Sequence, residues 1–386
     1  MIIKNARYES GSAISTTSSL TLNNVTFINC SGDDGPNKDN SGAIQALSGY
    51  LKINNCNFID NSGGDGASIT AYSCTVDVVN STFISSSDKI IKGQIYLDKS
   101  ELTVSNSNFL NTTSKYATAI LAEDNCKVKI SNSKFRNLFA NKTAGAISIK
   151  NTPTLIISDC EFYNVSSVNN AGAIFVDTSA EEEKNNKGLV NIDNTKFEDC
   201  HSGFGGAILQ LAGKLIITDS QFYSNDADYE GGAIYTSYVA VDIFDSTFRD
   251  NSVSDSISYG GACSFDMGNV TFMNNIFENN TGSIVSTIYA YDTRGKNSNY
   301  NYKVQVLTSA GTPLNNIQIP VSVNNKMKNY TTGALGYVTI PFTKLTAQQT
   351  IIVVNPSNAD NKKTKIVVKS RFAGASNVAM YYFDGS

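Results

Sequence analysis

The sequence predicts an all-β protein: a parallel β-helix of about ten or eleven coils followed by an immunoglobulin-like β-sandwich. Three observations predict it. A phrase of Asn or Asp, a small residue, a polar residue and Phe recurs, ending at Phe27, Phe58, Phe83, Phe109, Phe135, Phe162, Phe197, Phe222, Phe248 and Phe277, mostly every 25 to 27 residues. Five and seven residues before each Phe stand two apolar residues, as in Leu102/Val104 and Leu215/Ile217. After Phe277 the repeat stops, and short alternating segments bounded by turn residues take over.

Residues 1–292 read as the solenoid. Period-two alternation broken by Asn, Gly or Ser gives strand–turn–strand with nothing at helical spacing. Three strands fit each repeat: one with the apolar pair, one beginning at the Phe, one carrying Gly-Ala-Ile, as at Gly205-Gly-Ala-Ile208 and Gly231-Gly-Ala-Ile234. Coils stacked ~4.8 Å apart would make a rod on the order of 50 Å long. The Phe is expected to point inward and stack. The Asn or Asp three before it is expected at a sharp bend, with stacked copies forming an amide ladder. Gly-Ala is small because the backbone packs closely there. Ile3, Asn5 and Tyr8 already fit the repeat, so the chain is expected to begin inside a coil as a piece of a longer protein. Longer repeats at 31–41, 178–188 and 251–259 are expected to emerge as loops, either binding elements or neutral decoration.

Residues 293–301 read as a polar linker that tolerates proteolysis. Strands are expected at 302–308, 317–323, 326–332, 337–342, 350–355 and 364–369, together an immunoglobulin-like domain over 302–372. Residues 373–386 add one more strand that opens a further module.

Composition narrows the function. The chain has 386 residues, no Trp, six Pro and a formal net charge of −4, which gives no reason to expect nucleic acid or an anionic membrane as partner. No apolar run approaches the ~18 residues of a membrane-spanning helix. Seven Cys at irregular spacing, without a Cys-x-x-Cys pair, argue against a disulfide framework or zinc site and read as small buried hydrophobes. No cofactor and no metal are expected. Asp226, Asp228 and Glu230 have spacing that could hold Ca²⁺, but they lack the Gly and bidentate Glu of a known loop and read as a solvated turn. Sequons at Asn111, Asn141 and Asn329 permit glycosylation of a secreted chain.

The Gly-Gly-Ala-Ile phrase with Phe-x-x-Asn (Phe222/Asn225, Phe248/Asn251, Phe277/Asn280) resembles the repeats of chlamydial polymorphic outer-membrane proteins. With the C-terminal Gly311-x-Pro313-Leu314 and Val323-Asn-Asn325 module, the chain is more similar to the adhesin-like surface proteins of methanogenic archaea. That resemblance implies a right-handed β-helix joined to bacterial-immunoglobulin-type repeats. It also implies a secreted protein displayed at the cell surface, holding partner cells or host glycans, with no catalytic residue to carry over.

Alternation selects the candidate face. With the Ile of Gly-Ala-Ile inward, the next residue is expected outward, giving Thr70, Tyr96, Leu121, Phe175, Leu209 and Tyr235. Two further on come Tyr72, Asp98, Glu123, Lys150 and Asp177. Rings beside carboxylates suit sugars, whose faces are apolar and whose edges carry hydroxyls. The proposed ligand-binding residues are Tyr96, Asp98, Glu123, Phe175, Asp177 and Tyr235, and replacing the three rings with Ser is expected to leave folding intact. Exposed β-formers with a charge ladder Asp98–Glu123–Lys150–Asp177 would produce the same pattern without a ligand.

An enzyme would use this face too. Parallel β-helices include pectin-degrading enzymes, and Asp98 and Glu123 on neighbouring coils meet the ~5 Å of a retaining carboxylate pair. The polygalacturonase cluster is missing, Asp33-Asp34-Gly35 is a lone fragment, and the single histidine, His201, reads as a turn residue. The expectation is therefore a non-enzymatic, extracellular adhesin whose partner is a glycan or surface protein. A polysaccharide-degrading enzyme and a purely structural stalk are the alternatives. A second outward column, Ile28, Ile59, Ile84 and Leu110, forms an apolar stripe that marks a contact or lies under a cover.

Overall fold

A computed structural model describes residues 1–8, 13–32, 41–86, 90, 92–151, 154–177, 188–254, 260–266, 270–273, 275–278, 280, 284–288, 299–308, 312–323, 326–343, 349–353, 366–372 and 379–383. Residues 33–40, 178–187 and 255–259, which hold most of the expected loops, lie outside the described residues.

Each Phe begins from the second position of a short parallel strand, and these strands pair coil to coil in one sheet from Ile2–Lys4 to Ile276–Glu278. The register places Phe upon Phe, as in Phe83↔Phe109 and Phe109↔Phe135. From Phe27 to Phe248 the rings are buried, with centroids 4.5 to 5.1 Å apart and planes within 1 to 7° of parallel. The inward aromatic column expected from the repeat is therefore present. The apolar pairs and the Gly-Ala-Ile strands form two further rows that merge into a second parallel sheet through the strands Ile208–Thr218 and Ile234–Phe244, which run through the corner between them. Among the described residues the Phe row runs through eleven stacked strands.

Corners explain the repeated Asn and Asp. The residue three before each Phe, from Asn24 to Asp245, has φ between 41 and 55°, the left-handed region that Asn and Asp tolerate best. One rung of side-chain ladder forms there, with the Asn194 amide donating to Asp159 at 2.7 Å. A longer ladder forms two residues after the Phe, where Asn164 donates to Asn137 and Asn137 to Asn111, both at 2.9 Å. Between corner and Phe sits a small residue, and its column is a buried hydroxyl ladder. The Cys56, Ser81 and Ser107 amides donate to the hydroxyls of Ser81, Ser107 and Ser133, each at 3.1 Å. Those hydroxyls donate to the carbonyls of Val79, Ser105 and Ser131 at 2.8 Å. Each hydroxyl thus satisfies an amide that the tight corner takes out of the sheet.

The glycines of Gly-Ala-Ile stack with no room for a side chain: a Cβ on Gly172 would lie 1.8 Å from the Gly206 carbonyl, and one on Gly206 2.0 Å from that of Gly232. All seven Cys are buried, free thiols. Burial pushes Cys126 and Cys160 up to about 11, which keeps them protonated and inert at neutral pH.

Three boundaries differ from the sequence reading. Ile284–Ile288, expected within the solenoid of residues 1–292, pairs antiparallel with Gln349–Val353, so among the described residues the parallel coils end with Ile276–Glu278. Its run of β-formers, Ile-Val-Ser-Thr-Ile, suits an antiparallel edge as well as a coil, and local pattern does not separate the two. Residues 299–301, expected in the linker, open the strand Asn299–Thr308, which pairs with Tyr337–Thr343; residues 293–298 lie outside the described residues. Ala379–Phe383, expected to open a further module, pairs with Ile366–Phe372. Among the described residues the C-terminal part thus has two four-stranded antiparallel sheets, one of Ile284–Ile288, Gln349–Val353, Gln318–Val323 and Lys326–Thr331, the other of Tyr337–Thr343, Asn299–Thr308, Ile366–Phe372 and Ala379–Phe383.

Candidate functional site

Tyr96 and Phe175 are buried, at 6% and 5% exposure, rather than presented to solvent. Both point away from the Phe-filled core, as alternation requires. What covers them is the segment that returns the chain from each Phe strand to the next Gly-Ala-Ile strand. Ala117 stacks on Ala144, and Asn170 on Phe204, so these returns form a wall outside the sheet. Behind it lie two satellite clusters: Tyr96 with Ala117, Leu121 and Tyr72, and Phe175 with Ala144, Ala171, Leu209, Phe204 and Tyr235. Replacing Tyr96 and Phe175 with Ser would therefore remove packing, contrary to the expectation from alternation.

The carboxylates two residues on stay half-buried at the sheet edge of the wall. Asp98 pairs in register with Glu123, and Lys150 with Asp177. Tyr96 donates its hydroxyl to Glu123 Oε2 at 2.9 Å, and Lys150 Nζ stands 3.5 Å from Oε1. Burial, then the Glu123 charge, raises the Tyr96 hydroxyl far above its ordinary value, so it remains a donor. Beside it Tyr72 donates to the buried Asp65, whose other oxygen is 2.6 Å from Lys92 Nζ. Lys92 also sits 4.4 Å from the Tyr96 ring centroid. Asp65 and Lys92 were not singled out by the repeat, because they come from corners where the pattern is irregular. All six expected residues thus lie on one face, but Tyr96 and Phe175 form its floor, Tyr235 is half-buried against Phe175, and the three carboxylates stand at its edge.

The exposed chemistry lies on the wall. Toward the middle of the rod Tyr116 is flanked by Lys115 and Lys142, with Nζ 5.1 and 5.6 Å from its ring centroid. Two coils beyond Lys142, the strand His201–Phe204 lies beside Asp226–Glu230. There Phe204 contacts Tyr229 at 5.1 Å and Tyr235 at 5.8 Å between centroids, tilted by 37° and 46°. Tyr229 is 55% exposed. A register shift between Ser202 and Phe204 makes room for its ring, which would stand 3.5 Å from a Cβ on Gly203. Asp226, Asp228 and Glu230 alternate along the same strand. They belong to a paired strand rather than the expected solvated turn, and among the described residues no group of three His, Cys, Asp or Glu is arranged to hold a metal. Phe204 and Tyr229 went unnoticed in the sequence because a return segment has no fixed position relative to the Phe.

His201 is likewise more than a solvated turn residue: its Nδ1 is 2.6 Å from Asp226 Oδ2, a bond between neighbouring coils. That bond, with help from the charges of Asp226 and Asp228, raises the imidazole above its ordinary value against the opposing effect of burial. A raised native pKa stabilises the fold fully below the unfolded value of about 6.5, and the contribution is lost as pH rises through the native value. His201→Gln should therefore lower Tm at about pH 6 and leave it unchanged at about pH 9. An equal decrease at both would show that the imidazolium adds nothing.

In the apolar column, Ile28, Ile59, Ile84 and Leu110 stand in register and half-buried on the outer side of the Phe sheet. The column continues through Arg136, which makes paired 2.7 Å bonds to both oxygens of Glu161.

Three rows of parallel strands wound about a stacked core define a parallel β-helix solenoid. Residues 118–319, just over half of the 386, match the family described as Right handed beta helix region, and the chain belongs to that family. It is similar to Metabotropic glutamate receptor-like protein R of Dictyostelium discoideum, with 31% identity over 132 residues, 33% of this chain and 7% of that protein. The chain thus corresponds to a small part of that relative. Among solved structures it is similar to a double mutant of the tailspike protein of E. coli bacteriophage HK620, at 8% identity and a TM-score of 0.22, covering 91% of this chain and 82% of that one.

Proposed function

We propose that the chain is the ligand-presenting part of an extracellular, cell-surface adhesin, and that its β-helix holds an extended glycan of a partner surface along the ridge of return segments. The observation that carries this reading is the row of aromatic side chains outside the core: Tyr116 near the middle, then Phe204 and Tyr229, flanked by charged and amide groups. Stacked coils hold such side chains in place before any ligand arrives, so little ordering cost opposes binding. Rings on a rigid strand present the flat apolar surface that a sugar face requires. The resemblance to adhesin-like surface proteins of methanogenic archaea supports the same reading, with the antiparallel C-terminal part as an immunoglobulin-like spacer. No helix among the described residues is long and apolar enough to cross a membrane.

A glycan array is the test. Binding without release of reducing or unsaturated sugar is the expected result. Tyr116→Ser and Tyr229→Ser should each weaken binding by about 1 kcal/mol, roughly fivefold, with Tm unchanged. Full binding by the double variant, together with loss on deleting 178–188, would move the site to that loop. Release of product would favour the polysaccharide-degrading alternative, for which the register of Asp98 on Glu123 is the supporting observation. Silence in both assays would leave a structural stalk.

A further inference from the structure

Two ammonium groups converge on one ring in the wall. Lys115 and Lys142 come from neighbouring coils, and their Nζ atoms stand 5.1 and 5.6 Å from the centroid of Tyr116. Elsewhere on the rod lysines meet a carboxylate of the next coil: Lys92 with Asp65 at 2.6 Å, Lys127 with Glu101 at 2.7 Å and Lys214 with Asp242 at 3.1 Å. Among the described residues neither Lys115 nor Lys142 has an ion pair, and both are exposed, while the ring they share is half-buried. Backbone bonds to neighbouring coils hold all three in place. The Lys115 amide donates to the Ile90 carbonyl at 3.1 Å, and the Tyr116 and Lys142 carbonyls accept from the Ala144 and Asn169 amides at 2.9 and 3.2 Å. Like charges held at one ring repel each other, and a bound anion offsets that repulsion. Beyond Lys142 the wall carries the uncharged amides of Asn169 and Asn170 and reaches Phe204, the bridge partner of Asn170.

We propose that the Tyr116 end of the ridge selects an acidic glycan, with a sugar that carries a carboxylate or sulfate ester placed against Tyr116 and neutral sugars running toward Phe204. The inference rests on the glycan reading above and deepens it. Both ammonium groups lie within 5.6 Å of one ring centroid, so the anionic group of a sugar against that ring stands close to both. The ring itself supplies an apolar surface for the sugar's C–H face. Lysine acts as a point charge rather than a planar fork, so carboxylate and sulfate both suit the pair. Esterifying a carboxylate keeps the sugar face and removes the charge. An acidic peptide has the charge without the sugar face.

The test measures binding of the whole chain to five probes of equal length at low and at high salt. They are a galacturonate oligomer and its methyl ester, a sulfated galactose oligomer and its unsulfated counterpart, and oligoglutamate. Two exposed ion pairs predict a preference of about fivefold for an acidic sugar over its neutral counterpart at low salt. Salt at about 1 M should abolish that preference, because charge is then screened within about 3 Å. Preference within the galacturonate pair alone, or within the sulfated pair alone, supports the proposal and names the anion. Lys115→Gln with Lys142→Gln should bring the acidic sugars down to the neutral ones, whereas Tyr116→Ser should weaken both kinds. Equal or tighter binding of both neutral oligomers overturns the charge assignment and leaves the glycan reading intact. A preference that survives the double substitution places the charge recognition elsewhere and overturns this site. Oligoglutamate bound as tightly as the acidic sugars shows charge alone at work and overturns the acidic-glycan assignment. No binding by any sugar overturns both readings. Should the double variant fail to fold, the single substitutions, each expected to remove part of the preference, decide the site instead.

Discussion

Phe135→Ala is expected to destabilise the solenoid by about 3–5 kcal/mol, the cost of emptying a large buried site whose walls relax only partly. The ring is fully buried between Phe109, 4.9 Å away, and Phe162, 4.5 Å away, with both planes within 5° of its own. Its removal interrupts a continuous stack rather than trimming an end. Each flanking ring loses one face of contact, and coils above and below cannot collapse into the gap, because the strand ladder sets their spacing. Denaturant unfolding measures the effect, with the last coils and the middle followed separately because solenoid stability is a sum of local terms. A loss below about 1 kcal/mol would mean that the stack contributes far less than its burial implies.

Asn251→Leu should have an effect of similar size by a different route. Asn251 Oδ1 accepts from the Asn225 backbone amide at 3.0 Å and from the Asn225 side chain at 2.9 Å. Its own amide donates to the Phe222 carbonyl at 2.9 Å and to Asn280 Oδ1 at 2.8 Å. Leu nearly preserves volume but removes every one of these bonds. Asn225 is fully buried, so its backbone amide is left without a partner. At about 1–3 kcal/mol for each buried group left unsatisfied, a loss of roughly 3 kcal/mol is expected. Hydrogen exchange should show it concentrated around residues 222–254. A near-neutral substitution would show that water replaces the lost partners and that this column is not sealed.

The Phe stack, the corner residues and the close-packed glycines were legible because each recurs at a fixed distance from the next. A single stray Phe carries no such information, but ten at one offset force a common direction. The Phe-x-x-Asn phrase was legible as a repeat but not as a ladder, since Asn225, Asn251 and Asn280 read as polar residues until neighbouring coils supply their partners. The apolar residues of 284–288 were misassigned for the opposite reason. Their composition is that of any strand, and only pairing with Gln349–Val353 distinguishes an antiparallel sheet from another coil.

The candidate site shows the same division. Period-two alternation correctly turned Tyr96, Phe175 and Tyr235 away from the Phe core, and coil stacking correctly aligned Asp98 with Glu123. Alternation describes the two faces of one strand and is silent about what lies beyond either face. The return segments vary in length, carry no fixed phrase and take their place only when neighbouring coils stack, through contacts such as Ala117 on Ala144 and Asn170 on Phe204. From its repeat alone, this sequence determined that the chain winds into a parallel β-helix and which side chains fill it, because both follow from local period and offset. Which outward side chains meet solvent was decided only by the tertiary structure: Tyr229 is displayed while Tyr96 and Phe175 lie beneath a wall built from residues some twenty or more positions apart.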